Sequence, residues 1–137
     1  MKNLRCYARI SIENLLYNYD CIKACVGDGC GIIPIIKANA YSHGSVEIAQ
    51  ALQGRALAFA VAEINEALLL RESGIDTPLL ILGYTDPSFA ELLQENHIIQ
   101  AVTDLEYARL LSEHLKRGEL SVHIKLDTGM PNRRTGF

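Results

Sequence analysis

A chain of 137 residues, 49% hydrophobic and 21% charged, has the makeup of a globular protein: one domain or part of a larger one. Its net charge of −3, with Lys and Arg scattered singly, offers neither the basic stripe that nucleic acid requires nor a patch for an anionic membrane surface. No segment is long and apolar enough to span a bilayer, and "MKNLRCYARISIENL" lacks the apolar core and cleavage site of a secretory leader, so a cytoplasmic location is expected.

The first element, "CYARISI" (6–12), alternates as a strand does and stands apart from the elements after it. A helix from Glu13 to about Cys25 comes next, with Tyr7, Tyr17 and Tyr19 as packing candidates. All four cysteines, Cys6, Cys21, Cys25 and Cys30, fall in the first 30 residues. Cys21 and Cys25 share a helix face, but their spacing is wide for a metal pair and the nearest histidine is His43. Buried free thiols are expected, and no metal.

Five short apolar runs then recur: "GIIPIIK" (31–37), "ALAFAVA" (56–62), "PLLILG" (78–83), "IIQAV" (98–102) and "SVHIKL" (121–126). Helical patterns separate them. "SVEIAQAL" carries Val46, Ile48, Ala49 and Leu52 on one face, with Ser45 placed to cap its start. "AEINEALLLRESG" stops at Gly74, and "DPSFAELLQEN" opens with a cap and a first-turn proline. "TDLEYARLLSEHLKRG" begins with the capping box Thr103 and Glu106 and ends in basic residues. His97 and His114 sit at helix ends, where they favour the dipole, and His123 is expected in a packed or hydrogen-bonded core position.

Strands alternating with helices mean βαβ units and a parallel sheet, and the continuous apolar runs suit strands covered on both faces. Two architectures fit: an open doubly wound sheet, or a (β/α)8 barrel of ~250 residues of which this is about half. The chain reaches Phe137 just after the fifth run with no covering helix, which favours the barrel.

"IIKANAYSHG" (35–44) carries the chemistry. Lys37 ends an apolar run, on the edge where ligands bind in either architecture. It either reaches past the strand into solvent or sits as a neutral amine, a nucleophile suited to aldehydes. Asn39, Tyr41 and His43 alternate through a loop that ends in Gly44 and a helix start; a tyrosine hydroxyl and amides there suit a phosphate.

The same stretch resembles the cofactor-lysine motif of alanine racemases, Val-Lys-Ala-Asn-Ala-Tyr-Gly-His-Gly. "HIKLDTGM" (123–130) resembles that family's Lys-x-Asp-Thr-Gly-Met motif, and "AFAVAEINEALLLRESGIDTPLLILG" between them reads like a member too. The resemblance implies the first part of an N-terminal (β/α)8 TIM barrel, about five barrel strands, preceded by one strand belonging to a mainly β C-terminal domain. Residues 1–137 would be that barrel portion, with the remaining barrel and the C-terminal domain outside them.

By the same resemblance the cofactor is pyridoxal 5'-phosphate and the reaction interconverts L-alanine and D-alanine, supplying D-alanine for peptidoglycan. Lys37 would form the internal aldimine and act as one of two bases that deprotonate Cα. Tyr41 would help hold the phosphate. Lys125 would orient an arginine, carbamylated as in many members, and either Arg133 or Arg134 would contact the cofactor's phenolic oxygen and the substrate. The second base would be a tyrosine of the C-terminal domain, contributed across a homodimer interface. Alternatives are a serine-preferring racemase, a non-catalytic pyridoxal-phosphate-binding protein, or a truncated chain inactive on its own.

The chain departs from the family pattern at two places. Ser42 replaces a usual glycine, tolerable where the backbone is not left-handed. "PNRRTGF" stands where "NRLGF" is typical, so two residues are inserted around Arg133 and Arg134. Five strands of an eight-stranded barrel would leave open edges and uncovered faces, so this chain is expected to need a partner or a longer polypeptide to fold and act.

Overall fold

A computed structural model describes residues 7–128. They divide between two compact units, Met1–Gly31 and Ile32–Phe137.

In the first unit α1 (Ile12–Val26) starts at Ser11, whose hydroxyl accepts the Asn14 amide at 3.2 Å. It closes at Gly27, where φ is 79°, and Lys23 Nζ donates to the carbonyls of Gly27 and Cys30 at 3.0 and 2.8 Å. Residues 7–11, expected as a strand, form no regular element, and Cys6 lies outside the described residues. A strand exists through a neighbour's ladder, and no described strand pairs with this stretch. Of the packing candidates Tyr19 is buried, while Tyr7 and Tyr17 are exposed. Cys21, Cys25 and Cys30 are free, as expected, but exposed rather than buried. The reason is local: Tyr19 is the buried residue of α1, and the cysteines lie elsewhere on its surface or beyond its end.

The second unit is a parallel sheet in the order β1 (Phe59–Val61), β2 (Leu79–Ile81), β3 (Ile98–Val102), β4 (Val122–Ile124). Ile35 adds one bridge to Ala60 outside β1, giving a row Ile35–Ala60–Leu80–Ile99. The run 31–37, expected as a full strand, is reduced to this bridge because Pro34 has no amide to donate and Lys37 already begins a turn. Ala60 N still donates to Pro34 O at 3.0 Å, and Ile36 N to Ala60 O at 2.8 Å.

A doubly wound sheet reverses its strand order at a switch point; this one runs in sequence order throughout. With right-handed crossovers the helices collect on one face, which is the winding of a (β/α)8 barrel. The mixed α/β chain with its parallel sheet is the first part of such a barrel. The face towards α3 (Ser45–Leu52), α4 (Ile64–Glu72), α5 (Ala90–Glu95) and α6 (Leu105–Glu113) is sealed: Phe59, Val61, Leu79, Ile81 and Gln100 have no exposed surface. The other face carries a smaller cluster of Ala60, Leu80 and Ala101, flanked by the half-buried Ile33, Leu82 and Ile99. All of β4 is exposed, Ile124 at 74%, so His123 is a surface residue here rather than a core one. No described helix follows β4 to cover it.

Helix ends follow the sequence with three corrections, the first being that α6 stops at Glu113 with no basic residue in its last turn, short of the basic residues expected to close it. After α4, Gly74 at φ 80° lets Gly74 N reach Arg71 O and Ile75 N reach Leu70 O, the paired bonds of a Schellman end. Asp86 caps the 3₁₀ turn Pro87–Phe89. The cap of α6 is Asp104, accepting Tyr107 N at 2.8 Å, and Thr103 only donates to the other oxygen of that carboxylate. Both residue types cap well, and the one that leaves the extended backbone last takes the role. Likewise Gly44 is the cap position of α3, and Ser45 is its first helical residue.

Arg71, in the last turn of α4, ties the N-terminal edge of the sheet together. Its Nε donates to Asn96 O at 2.8 Å, Nη1 to Ile75 O and Thr77 O at 2.6 and 2.9 Å, and Nη2 to His97 O at 3.0 Å. Burial lowers its pKa and the nearby Asp76 pulls it back up, yet a guanidinium stays charged. Lysine, a point charge with no planar fork, cannot serve four carbonyls in these directions. Arg71→Lys should lower unfolding stability by about 2 kcal/mol and Arg71→Met by about 3, measured by chemical denaturation. An unchanged midpoint for Arg71→Met would show that the four bonds contribute nothing net.

Candidate functional site

The C-terminal edge of the sheet is shaped by α2 (Lys37–Ser42), a single turn of helix wound the wrong way. Ala38, Asn39, Ala40 and Tyr41 have φ of 50 to 54° and ψ of 45 to 48°, the mirror image of an ordinary α-helix, and Ser42 follows at φ 70°. None of the five is glycine. Ser42 therefore occupies a left-handed position, the case in which a glycine would have been the relaxed choice.

Hydrogen bonds fix this turn from several sides. Ala40 N donates to Ile36 O at 2.9 Å, and Gly44 N to Asn39 O at 3.0 Å. The Asn39 side chain accepts the Ser45 amide at 2.9 Å, so the first amide of α3 is capped from six residues back in the chain. His43 Nδ1 lies 3.0 Å from Ala40 O. Glu66, in the first turn of α4, accepts the Ala38 amide on Oε1 at 2.5 Å and the Ala62 amide on Oε2 at 2.7 Å. Sequence reasoning passes over Glu66. Its signal is a glutamate three residues after the α4 cap position Glu63, where a capping-box acid belongs.

Lys37 is half-buried at the start of this turn, directly beyond the Ile35 bridge. A mirror-image helix keeps the 3.6-residue repeat, so Tyr41 follows about one turn later; the residue is 58% exposed. Lys125 is half-buried one residue past β4, with its amide on Val102 O at 2.8 Å. Both lysines thus stand on the C-terminal edge, but β1, β2 and β3 lie between them. They are four strand spacings apart, about 19 Å measured along the sheet. Arg133 and Arg134 lie outside the described residues, as does Met130. No group of His, Cys, Asp and Glu among the described residues could hold a metal ion.

Further along the same edge Gly83 packs against β1. A Cβ there would meet the Ala62 carbonyl oxygen, to which Gly83 N donates at 3.1 Å. Gly83 O in turn accepts from Gln100 Nε2 at 2.7 Å. Tyr107 OH accepts the Thr85 amide at 3.0 Å and donates to Thr85 O at 2.7 Å, with its ring against Tyr84. The strand ends are therefore cross-tied, which gives a residue at this edge a fixed backbone.

Comparison with known proteins agrees with the geometry. Residues 10–137 match the family described as "Alanine racemase, N-terminal domain". An alanine racemase of Clostridium perfringens is 46% identical over 134 residues, covering 96% of this chain and 34% of that protein. One from Carboxydothermus hydrogenoformans is 42% identical and is covered to 36%. The chain thus spans about a third of the length of the curated relatives it matches. Among solved structures, an alanine racemase of Clostridium difficile 630 superposes with a TM-score of 0.81 at 38% identity, covering 86% of this chain and 33% of that one. A histidine racemase of Leuconostoc mesenteroides subsp. sake gives 0.73 at 32% identity, covering 82% and 30%.

Ser42→Gly should raise stability by about 1 kcal/mol, since glycine adopts positive φ without strain. Asn39→Ala should lower it by about 1 kcal/mol through loss of the α3 cap. Unfolding curves of the two variants measure both, and a destabilised Ser42→Gly would show that the hydroxyl, not the backbone, matters there.

Proposed function

We propose that this chain, which belongs to the alanine racemase family, is the first portion of the cofactor barrel of a racemase interconverting L-alanine and D-alanine with pyridoxal 5'-phosphate. The single observation that carries the reading is Lys37: a half-buried amine at the C-terminal edge of a parallel sheet, on a turn locked by hydrogen bonds. That edge is where barrel enzymes do their chemistry.

The residues present fit such a cofactor. Lys37 offers an amine for its aldehyde, and the exposed Tyr41 phenol lies about one turn away to donate to its phosphate. Bound pyridoxal phosphate supplies an electron sink that acidifies the Cα proton of an attached amino acid. Lys37 Nζ, freed when substrate takes its place, then removes or returns that proton from one face. Inversion needs a second base on the opposite face, and we assign it to a tyrosine of a C-terminal domain outside this chain, presented across a homodimer interface. Arg133 or Arg134, both outside the described residues, would contact the cofactor's phenolic oxygen and the substrate, as the family motif implies.

Lys125 is an orienting group for that arginine rather than a second cofactor link. Carbamylation would give it the negative charge that makes it an arginine's partner. The exposed Val122, Ile124 and Leu126 are the faces we assign to the remaining barrel, so that activity requires the longer polypeptide. The product supplies D-alanine for peptidoglycan from the cytoplasm; no described helix is long and apolar enough to cross a membrane. A second reading, a racemase of another amino acid such as serine, draws support from the histidine racemase neighbour, whose matching portion has the same fold.

Borohydride reduction of the cofactor-loaded full-length protein, followed by peptide mapping, should place the adduct on Lys37. Lys37→Ala should lose the yellow absorbance of the bound cofactor. An adduct on Lys125 would overturn the assignment. The 137-residue chain alone should not racemise alanine, and mixing it with a separately expressed C-terminal portion should restore turnover.

A further inference from the structure

We infer that Glu66 is a positioning residue for Lys37, acting through the backbone of the left-handed turn. The inference rests on Lys37 as the cofactor amine and adds a residue to that reading. A glutamate at the third position of a helix ordinarily folds back onto the amide of its own cap residue. Glu66 does not. Its carboxylate spans two neighbouring segments of the sheet edge, with Oε1 on the amide of Ala38 at 2.5 Å and Oε2 on the amide of Ala62 at 2.7 Å.

Ala38 is the residue after Lys37 and the first of the left-handed run; Ala62 directly follows β1. Both amides lie where the chain has left its ladder, so neither has a backbone carbonyl to meet. A carboxylate accepts two such donors at once, and each bond is charge-assisted. Binding both oxygens fixes the Ala38 peptide plane relative to β1, and that plane sets the direction of the Lys37 Cα–Cβ bond. Neighbouring ties support the clamp: Ile36 N donates to Ala60 O, and Gly83 N to the Ala62 carbonyl. The remaining anchors of the turn, Asn39 on Ser45 N and His43 beside Ala40 O, act on its far end. Glu66 alone among these side chains grips the peptide adjoining the amine.

Glu66→Gln keeps size and shape but turns one acceptor into a donor, so one of the two amides must lose its partner. In the full-length protein, treated with pyridoxal phosphate and borohydride, the labelling rate at Lys37 relative to the surface Lys116 should fall about tenfold or more in this variant. A role confined to stability would slow both lysines alike or neither. A second measurement reads the two bonds directly: the Ala38 and Ala62 amides should both exchange with solvent deuterium more slowly in the unmodified protein than in Glu66→Gln. Equal relative labelling in Glu66→Gln, or exchange at both amides unchanged by it, overturns the proposal alone. An adduct away from Lys37 in the unmodified protein overturns the Lys37 assignment and this proposal with it.

Discussion

Five successive non-glycine residues with positive φ, Ala38 to Ser42, are the constraint around which the C-terminal edge is arranged. Left-handed winding costs an L-residue roughly 1–2 kcal/mol, so the turn opposes folding by several kcal/mol on its own. It persists because its ends are held by groups that have nothing better to do. The Ala38 amide has left the sheet and takes Glu66; the Ser45 amide opens a helix and takes Asn39. Strain held by its surroundings in this way tends to mark working sites, and here it begins at the residue after Lys37. A right-handed turn would satisfy the backbone more cheaply but would send the chain, and Tyr41 with it, the other way round the strand axis.

The sheet shows what that arrangement needs beneath it. On the helix side the alternate residues of β1, β2 and β3 are fully buried, and Gly83, Gln100 and Ala62 are cross-bonded so that the strand ends cannot slide. On the other side only small residues, Ala60 and Ala101, and one leucine, Leu80, form a closed cluster. That difference is the difference between the outside of a barrel, finished by its own helices, and the inside, which strands from around the ring finish together. The exposure of β4 follows from the same geometry, since neither its next strand nor its covering helix is among the described residues.

Much of this was legible in the sequence. The helices, the parallel order and the place of Lys37 follow from apolar runs at a regular interval and a lysine where one of them ends. The less legible parts share a cause, which is that they depend on contacts remote in sequence or on a choice between equivalent residues. Nothing in "ANAYS" announces left-handed winding, because none of its residues is glycine. The Ala38–Glu66 bond joins residues 28 apart, a distance that no local pattern encodes. Thr103 and Asp104 are both good caps, and backbone geometry chooses Asp104. Pro34 was a visible reason to doubt a full first strand, and His123 looked like core only because its run was read as covered.

Glu66 and Arg71 lie five positions apart on α4, and their signs follow from where that helix begins and ends. In a βα unit each helix starts above the C-terminal edge of the sheet, leaving amides without partners there, and finishes at the N-terminal edge, leaving carbonyls. An anion is therefore stabilising at the upper edge and a cation at the lower one. Glu66 accepts two amides above; Arg71 donates to four carbonyls below. Carbonyls at the lower edge are thereby taken up by side chains, four by Arg71 and two, those of Arg117 and Glu119, by Gln94, and that edge serves stability. The upper edge is only partly neutralised, since Glu66 and Asn39 engage particular amides while the ends of successive helices still present partial positive charge. An edge left in that condition favours a further anion, and a phosphate is the anion that the proposed cofactor would bring to it.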